Sequence, residues 1–180
     1  VLVKEVKNNI DVRDLEKLAR SISDTLSSEF FTKVNVGIGT PVVGVKDLAR
    51  SFKEAQTALE VGKVFDTDKN IVSYDNLGIA RLIYHLPTTL CETFLKEVFK
   101  KNSIESLDHE TLFTIQKFFE NSLNVSETSR KLFVHRNTLV YRLDKIKKLT
   151  GLDLREFDHA IIFKIALMVK KYLAANPTKF

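Results

Sequence analysis

The spacing of the apolar residues changes near residue 75, and this change limits what each part of the chain can fold into. Between residues 34 and 38, valine and isoleucine alternate with polar or small residues, which is typical of a half-buried strand. Segments 1–6 and 71–74 are also predicted strands, and segments with helical spacing of apolar residues separate the three predicted strands. The order β-α-β-α-β predicts an α/β layer over residues 1–75. Beyond it only helical spacing occurs, so the rest of the chain is predicted to be all-α.

Two helices are predicted within this α/β layer. The first follows Asp11, a residue type that caps helix N-termini, and carries apolar residues at helical spacing up to Leu26. The second runs from Leu48 to about Gly62. Between the helices the sequence also predicts a stretch rich in turns, marked by Gly37, Gly39, Pro41 and Gly44.

The all-α part is predicted to contain helices at 77–86, 88–101 and 157–173, and a further helix that Asp108 caps. The polar stretch 100–106 is the best candidate for a domain boundary. No run of about 18 uncharged apolar residues is present, so the sequence predicts no membrane span.

The net positive charge of the chain lies in one segment. The formal net charge is +5, and residues 121–150 hold seven basic and two acidic residues, which leaves 21 of each sign elsewhere. The basic residues are Arg130, Lys131, Arg136, Arg142, Lys145, Lys147 and Lys148. A neutral body with one basic segment is typical of a nucleic-acid-binding protein, because phosphates attract localised positive charge. A solvated helix face would give the same pattern, so charge alone leaves both interpretations open.

The basic segment has the pattern of two short helices joined by a tight turn. Ser126 or Asn124 can cap the first helix, a turn is predicted at 133–135, and Gly151 is well suited to end the second helix. Ser129 is small where the two helices would approach closely. The apolar residues predicted to pack between them are Leu132, Val134, Leu139, Leu143 and Ile146. This spacing predicts a helix-turn-helix.

The second helix of this motif is predicted to enter the major groove of double-stranded DNA. The side opposite its apolar stripe presents Asn137, Tyr141 and Lys148, and Thr138 lies beside them. Arg136 can form two hydrogen bonds with guanine, and Asn137 can pair with adenine, because their donors and acceptors match those base edges.

A second set of side chains is predicted to contact phosphates, which position a protein without reading sequence. These are Arg130, Arg142, Lys145 and the hydroxyl of Ser126 or Thr128. His135 is predicted to be a turn or capping residue of this interface and not a metal ligand, because no second histidine or cysteine lies at ligand spacing. Each residue alone is also compatible with an ordinary surface role. The turn, the apolar stripe and the local charge together favour DNA binding.

The run LFVHRNTLVYRLDKI, with LTGLDL after it, resembles the C-terminal helix-turn-helix of the CdaR/PucR regulators, which include sugar-diacid utilisation regulators. It is similar, more loosely, to FIS-type DNA-binding ends. The resemblance continues through FDHAIIFKIALMVKKYL and covers residues 108–173. It departs from the wider helix-turn-helix class at Phe133, a turn position where glycine is frequent. The resemblance implies a transcriptional regulator whose effector, a sugar acid or similar metabolite, binds a domain absent from this chain. A single cysteine, Cys91, excludes an internal disulfide framework and favours the cytoplasm.

The first half resembles the later part of the GGDEF-like domain of such regulators, in the segments VNVGIGT, LARSFKEAQTALEVGKVF and IVSYDNLG. This resemblance implies a nucleotide-cyclase-like α/β fold that lacks its N-terminal strand and helices here. The predicted fold class is α+β/α: a partial GGDEF-like α/β domain over 1–86, a helical connector over 87–107 and an all-α helix-turn-helix domain over 108–180. Because one such module rarely binds tightly enough alone, we expect a homodimer that reads two half-sites.

The sequence argues against an enzyme. It contains neither a GG[DE]EF loop nor the glycine-rich loops G-x-G-x-x-G and G-x-x-x-x-G-K-[ST], which hold nucleotide phosphates. Cys91 is the single cysteine and has no histidine beside it in sequence, so no nucleophile, metal site or cofactor is predicted. The alternative is that the GGDEF-like part is a non-catalytic module for dimerisation or for binding a ligand or nucleotide. Because the chain opens with Val1 in an apolar run, we expect a fragment of a longer protein.

Overall fold

The computed structural model describes residues 1–6, 10–65, 69–99 and 107–176. It divides into two compact units, Val1–Leu86 and Pro87–Phe180. Over these residues the first unit is α/β and the second is all-α, as the sequence predicts. The predicted boundary stretch 100–106 lies outside the described residues. None of the described helices has the length and hydrophobicity of a membrane span.

The described part of the first unit contains two long helices, a two-stranded parallel sheet, a short α-helix and two 3-10 helices, Val45–Asp47 and Tyr74–Asn76. Its α-helices and strands are α1 (Val12–Phe30), β1 (Val36–Ile38), α2 (Leu48–Phe65), β2 (Ile71–Ser73) and α3 (Ile79–Tyr84). β1 pairs with β2 in the register Val36–Ile71, Gly37–Val72 and Ile38–Ser73. The strands are parallel because α2 returns the chain to the same end of the sheet between them. Asp11 caps α1 as predicted, its Oδ1 accepting a hydrogen bond from the Arg13 backbone N at 2.8 Å.

The predicted strand over residues 1–6 is wrong. Val1, Leu2 and Val3 are between 65% and 101% exposed, and their segment belongs to no strand. Among the described residues the sheet contains only β1 and β2, so segment 1–6 has no adjacent strand to supply the hydrogen bonds that define one. The order found in this unit is therefore α-β-α-β before α3.

Two of the glycines predicted to mark turns instead bring β1 close to α2. Gly37 lies inside β1, and a Cβ there would lie 2.2 Å from the Ala55 carbonyl oxygen. At Gly39 a Cβ would lie 2.0 Å from the Ser51 carbonyl oxygen. Both distances are shorter than any normal contact, so only residues without a side chain allow the strand and the helix to approach this closely.

The described part of the second unit contains five helices around one core. They are α4 (Thr88–Val98), α5 (His109–Glu120), α6 (Val125–Lys131), α7 (Arg136–Thr150) and α8 (Phe157–Ala175). α4 packs against α8, and α5 contacts both α6 and α7. The large side chains fully buried at the centre are Ile115, Phe118, Leu139, Leu143, Ile146, Leu154 and Phe163. The predicted Asp108 cap of α5 is confirmed, because its Oδ1 accepts a hydrogen bond from the Thr111 backbone N at 2.7 Å.

A polar cluster fixes the connection between α7 and α8. The Asp153 side chain is 7% exposed, and its carboxylate accepts two hydrogen bonds of 2.8 Å from the Arg155 guanidinium. Lys147 of α7 donates to the same carboxylate at 3.1 Å. The Asp153 backbone N donates to Nδ1 of His159 in α8 at 3.3 Å. Hydrogen bonds from Arg155 hold the pKa of the Asp153 carboxyl well below its usual range, so the cluster stays charged at neutral pH.

Replacing Gly39 with alanine should destabilise the first unit, because the added methyl group overlaps the Ser51 carbonyl oxygen. We expect the free energy of unfolding, measured by urea denaturation, to fall by roughly 1–3 kcal/mol. Gly44→Ala is the matched control, since the atom nearest to a Cβ there is Asp47 Oδ2 at 3.6 Å. Equal stabilities of the two variants would contradict the close packing of β1 on α2.

Asp153→Asn should destabilise the second unit at neutral pH by roughly 1–3 kcal/mol, because Arg155 and Lys147 lose a charged acceptor. The pKa of the Asp153 carboxyl is lower in the folded chain than in the unfolded chain. Its stabilisation is therefore complete above about pH 4 and declines as the pH falls toward the folded-state pKa.

Urea unfolding of the wild type and Asp153→Asn at pH 7 and pH 3 should show the two stabilities converging at acid pH. Asp24→Asn, which changes an exposed carboxyl of α1, is the control. A difference between wild type and Asp153→Asn that does not depend on pH would contradict the role assigned to the Asp153 charge.

Candidate nucleic-acid interface

α6 and α7 form the helix-turn-helix, and backbone hydrogen bonds close the turn between them. Asn124 caps α6, since its Oδ1 accepts a hydrogen bond from the Glu127 backbone N at 2.9 Å. In the turn, the Val134 N donates to the Ser129 carbonyl oxygen at 3.0 Å. Phe133 has a left-handed conformation with φ of 55°, and its side chain is 96% exposed. Because its ring lies in solvent, the cost of this conformation is confined to its own backbone.

α7 has both of the caps that the sequence predicts. His135 precedes the helix, and its Nδ1 accepts a hydrogen bond from the Asn137 backbone N at 3.2 Å. This bond satisfies one of the amides that the first turn of a helix leaves without a partner. Gly151 follows the helix in the left-handed conformation, with φ of 79°, and its N donates to the Lys147 carbonyl oxygen at 2.8 Å.

α7 turns one side to the core and the opposite side to solvent. The side chains fully buried on the core side are Leu139, Leu143 and Ile146. Those exposed on the opposite side, here called the outward face, include Asn137, Tyr141 and Lys148. Tyr141 keeps 70% of its surface accessible although it is a large aromatic residue. Arg136 and Thr138 are also exposed, at the start of the helix. The outward face therefore has the predicted orientation, and its side chains are accessible to a partner.

The predicted phosphate contact from Thr128 is wrong. Thr128 has no exposed surface, and its hydroxyl donates to the Asn124 carbonyl oxygen at 2.7 Å, so it cannot reach a phosphate. The alternative hydroxyl, that of Ser126, belongs to an exposed residue that does not cap α6. Arg130 is exposed and forms an ion pair with Glu127 of the same helix. Ser126 and Arg130 therefore remain accessible, as the prediction requires.

Two further residues predicted to contact phosphates, Arg142 and Lys145, are paired with carboxylates at the start of α5. Arg142 binds Glu110 and donates to the Thr114 hydroxyl at 3.2 Å. Lys145 Nζ lies 3.3 Å from Asp108 Oδ2. Hydrogen bonds from the first turn of α5, and then from Lys145, lower the pKa of the Asp108 carboxyl to about 2. Both cations therefore already neutralise carboxylates within the protein.

The predictions from sequence do not single out Asp144, which lies just past the middle of α7, or Arg155, which pairs with it. The Arg155 guanidinium donates to Asp144 Oδ1 at 2.7 Å. An aspartate and an arginine two residues apart, just after the helix-ending Gly151, could have indicated the local pair of Asp153 with Arg155. The contact with Asp144 spans 11 residues and depends on the path of the connection between α7 and α8, which the sequence does not reveal.

Further candidate sites would be a cluster of metal ligands or the single cysteine. No group of three His, Cys, Asp or Glu side chains that could hold a metal ion occurs in the part of the chain that the structure describes. Cys91 is 1% exposed in α4, and burial raises the pKa of its thiol. A raised pKa disfavours the thiolate, the form in which cysteine acts as a nucleophile.

Comparison with protein families identifies a domain type for each part of the chain. The family model described as PucR C-terminal helix-turn-helix domain matches residues 111–169, which include α6, α7 and most of α8. The model described as GGDEF-like domain matches residues 1–61, which include α1, β1 and most of α2. The chain therefore carries both domain types, with the helix-turn-helix second.

Relatives of this chain include several bacterial regulators. The carbohydrate diacid regulator of Escherichia coli (strain K12) is 28% identical over 174 residues, which cover 94% of this chain and 45% of that protein. The purine catabolism regulatory protein of Bacillus subtilis (strain 168) is 26% identical over 150 residues, which cover 83% and 28%. The proline-responsive transcriptional activator PutR of the same organism is 27% identical over 146 residues, which cover 78% and 35%.

This chain thus spans less than half the length of each of these relatives. All three are named as regulators or activators, and the matches to the first and second extend over most of this chain. In its two domain types, their order and these relatives, the chain is similar to the CdaR/PucR family of transcriptional regulators.

Proposed function

We propose that this chain binds double-stranded DNA through α7 and is the DNA-binding part of a transcriptional regulator. The observation that carries the proposal is the contrast between the two sides of α7. Three fully buried apolar side chains lie opposite an outward face that exposes Asn137, Tyr141 and Lys148. A helix held in this way behind a short first helix presents its polar side chains to the major groove. The surrounding segment holds the net positive charge of the chain.

Within this proposal the first turn of α7 reads the bases. Arg136 would donate two hydrogen bonds to guanine, and Asn137 would pair with adenine. Thr138, which follows them, can form a hydrogen bond with more than one base type. His135 is exposed at the start of the helix, so its ring would lie at the entrance to the groove. Tyr141, one turn further on, would contact the duplex beside these bases.

Phosphate contacts in this proposal come from exposed groups on both helices of the motif. Ser126 and Arg130 lie on α6, and Lys148 lies near the end of α7. Arg142 and Lys145 differ from Lys148, because a phosphate could bind either one only by displacing a carboxylate at the start of α5. We expect these two to fix α7 on α5 instead of contacting phosphates.

For the whole protein, we propose a cytoplasmic homodimer without catalytic activity, in which two copies read two half-sites. The relatives are named for carbohydrate diacids, purine catabolism and proline, so a small metabolite bound outside this chain is the effector that fits this family. The domains would be a GGDEF-like domain over 1–86, a connector over 87–107 and a DNA-binding domain over 108–180. The connector would contribute α4 to the second unit, and the packing of α4 on α8 supports this role.

Substitutions on α7 should separate base reading from phosphate contact. Asn137→Ala should reduce the preference for a selected duplex over a scrambled one by about 1–3 kcal/mol, because a base-specific pair is lost. Lys148→Ala should weaken binding to both duplexes alike and lower the slope of log affinity against log salt by about 1. Affinities are measured by fluorescence anisotropy, with a duplex selected from a random pool by this chain.

Lys53→Ala provides the control, because it removes the same charge from an exposed position on α2 and should change neither quantity. If Asn137→Ala keeps the wild-type preference between the two duplexes, α7 does not read bases as proposed.

A further inference from the structure

One acidic residue shares the outward face of α7. Asp144 follows Tyr141 by three residues and Asn137 by seven, so the three side chains lie on one side of the helix. The Asp144 side chain is 55% exposed. Because phosphates are negatively charged, a free carboxylate at this position would oppose a duplex that contacts Asn137 and Tyr141.

The Arg155 guanidinium forms an ion pair with this carboxylate. One of its terminal nitrogens donates to Asp144 Oδ1 at 2.7 Å, while Nε and the same terminal nitrogen donate to the Asp153 carboxylate at 2.8 Å each. Asp153 also accepts a hydrogen bond from the Arg155 backbone N at 3.1 Å. Since Asp153 is 7% exposed and orients Arg155 through three hydrogen bonds, the guanidinium does not need Asp144 to hold its position.

We infer that Arg155 is a positioning residue of the DNA interface, which neutralises Asp144 and so allows the outward face of α7 to approach phosphates. This inference rests on the function proposed above. The pair is exposed to solvent at both ends, 34% at Arg155 and 55% at Asp144, so it adds little to the stability of the fold. Its main effect is on charge, because Arg155 brings a cation from outside the helix to the acid that α7 carries on its outward face.

The test is a rescue experiment on the full chain, with the selected duplex as the probe. Arg155→Gln removes the charge and keeps donors for Asp153, and we expect it to weaken binding by about tenfold or more. Adding Asp144→Asn should restore the affinity to within about threefold of the wild type, because it removes the negative charge that Arg155 no longer neutralises. Arg50→Gln is the matched control, since Arg50 also lies between two carboxylates, Asp47 and Glu54, but in the first unit.

A double variant that binds as weakly as Arg155→Gln overturns the inference, because Arg155 would then act through the fold alone. Wild-type affinity of Arg155→Gln also overturns it. The melting temperature of each variant shows whether its fold is intact. Asp144→Asn alone tests the effect of the carboxylate on affinity without changing Arg155. It should bind at least as tightly as the wild type, and a loss of affinity counts against the inference.

Asn137→Ala distinguishes failure of this inference from failure of the proposed function. If Asn137→Ala keeps its duplex preference, α7 does not read DNA and both proposals are overturned. If Asn137→Ala loses that preference while Arg155→Gln binds like the wild type, only the role of Arg155 is overturned.

Discussion

Burial of one stripe of α7 is the constraint on which the DNA-binding unit depends. Leu139, Leu143 and Ile146 have no exposed surface, and a rotation of α7 that hid Tyr141 would bring them into water. Burying a side chain of this size contributes about 1.5–3 kcal/mol, so the three together strongly oppose such a rotation. Since the same core cannot cover both sides of one helix, Asn137 and Tyr141 face outward as a consequence of this packing.

Polar contacts then fix α7 from its flank and from its end. Arg142 and Lys145 bind carboxylates of α5 on one flank, and Lys147 binds Asp153 at the end of the helix. The positive charge of the segment therefore serves two purposes, because part of it holds the helix and part of it is left to attract a duplex. Lys148 is exposed and belongs to the second group. Counting basic residues in the sequence overstates the number of cations available to phosphates.

Features that depend on residues within a turn or two could be predicted from the sequence. The Asp108 cap, the Gly151 cap and the stripe of α7 are of this kind, because each arises from spacing along a single helix. Features that depend on residues far apart in the sequence could not be predicted from it. A strand at 1–6 would have needed a neighbouring strand to pair with, and the sequence does not show that this neighbour is missing from the described residues. The role of Gly39 depends on the packing of α2 against it, which the sequence does not show either. The acids that pair with Arg142 and Lys145 lie more than 30 residues away in sequence, and nothing local indicates them.

Hydroxyl-radical footprinting, with and without a selected duplex, tests most directly whether the outward face of α7 meets DNA. In the free chain Tyr141 is 70% exposed and Phe31, in the first unit, is 94% exposed, so both rings are open to oxidation. We predict that bound duplex slows the oxidation of Tyr141 and leaves that of Phe31 unchanged. Equal oxidation of Tyr141 in the free chain and in the saturated complex would contradict a duplex-facing α7.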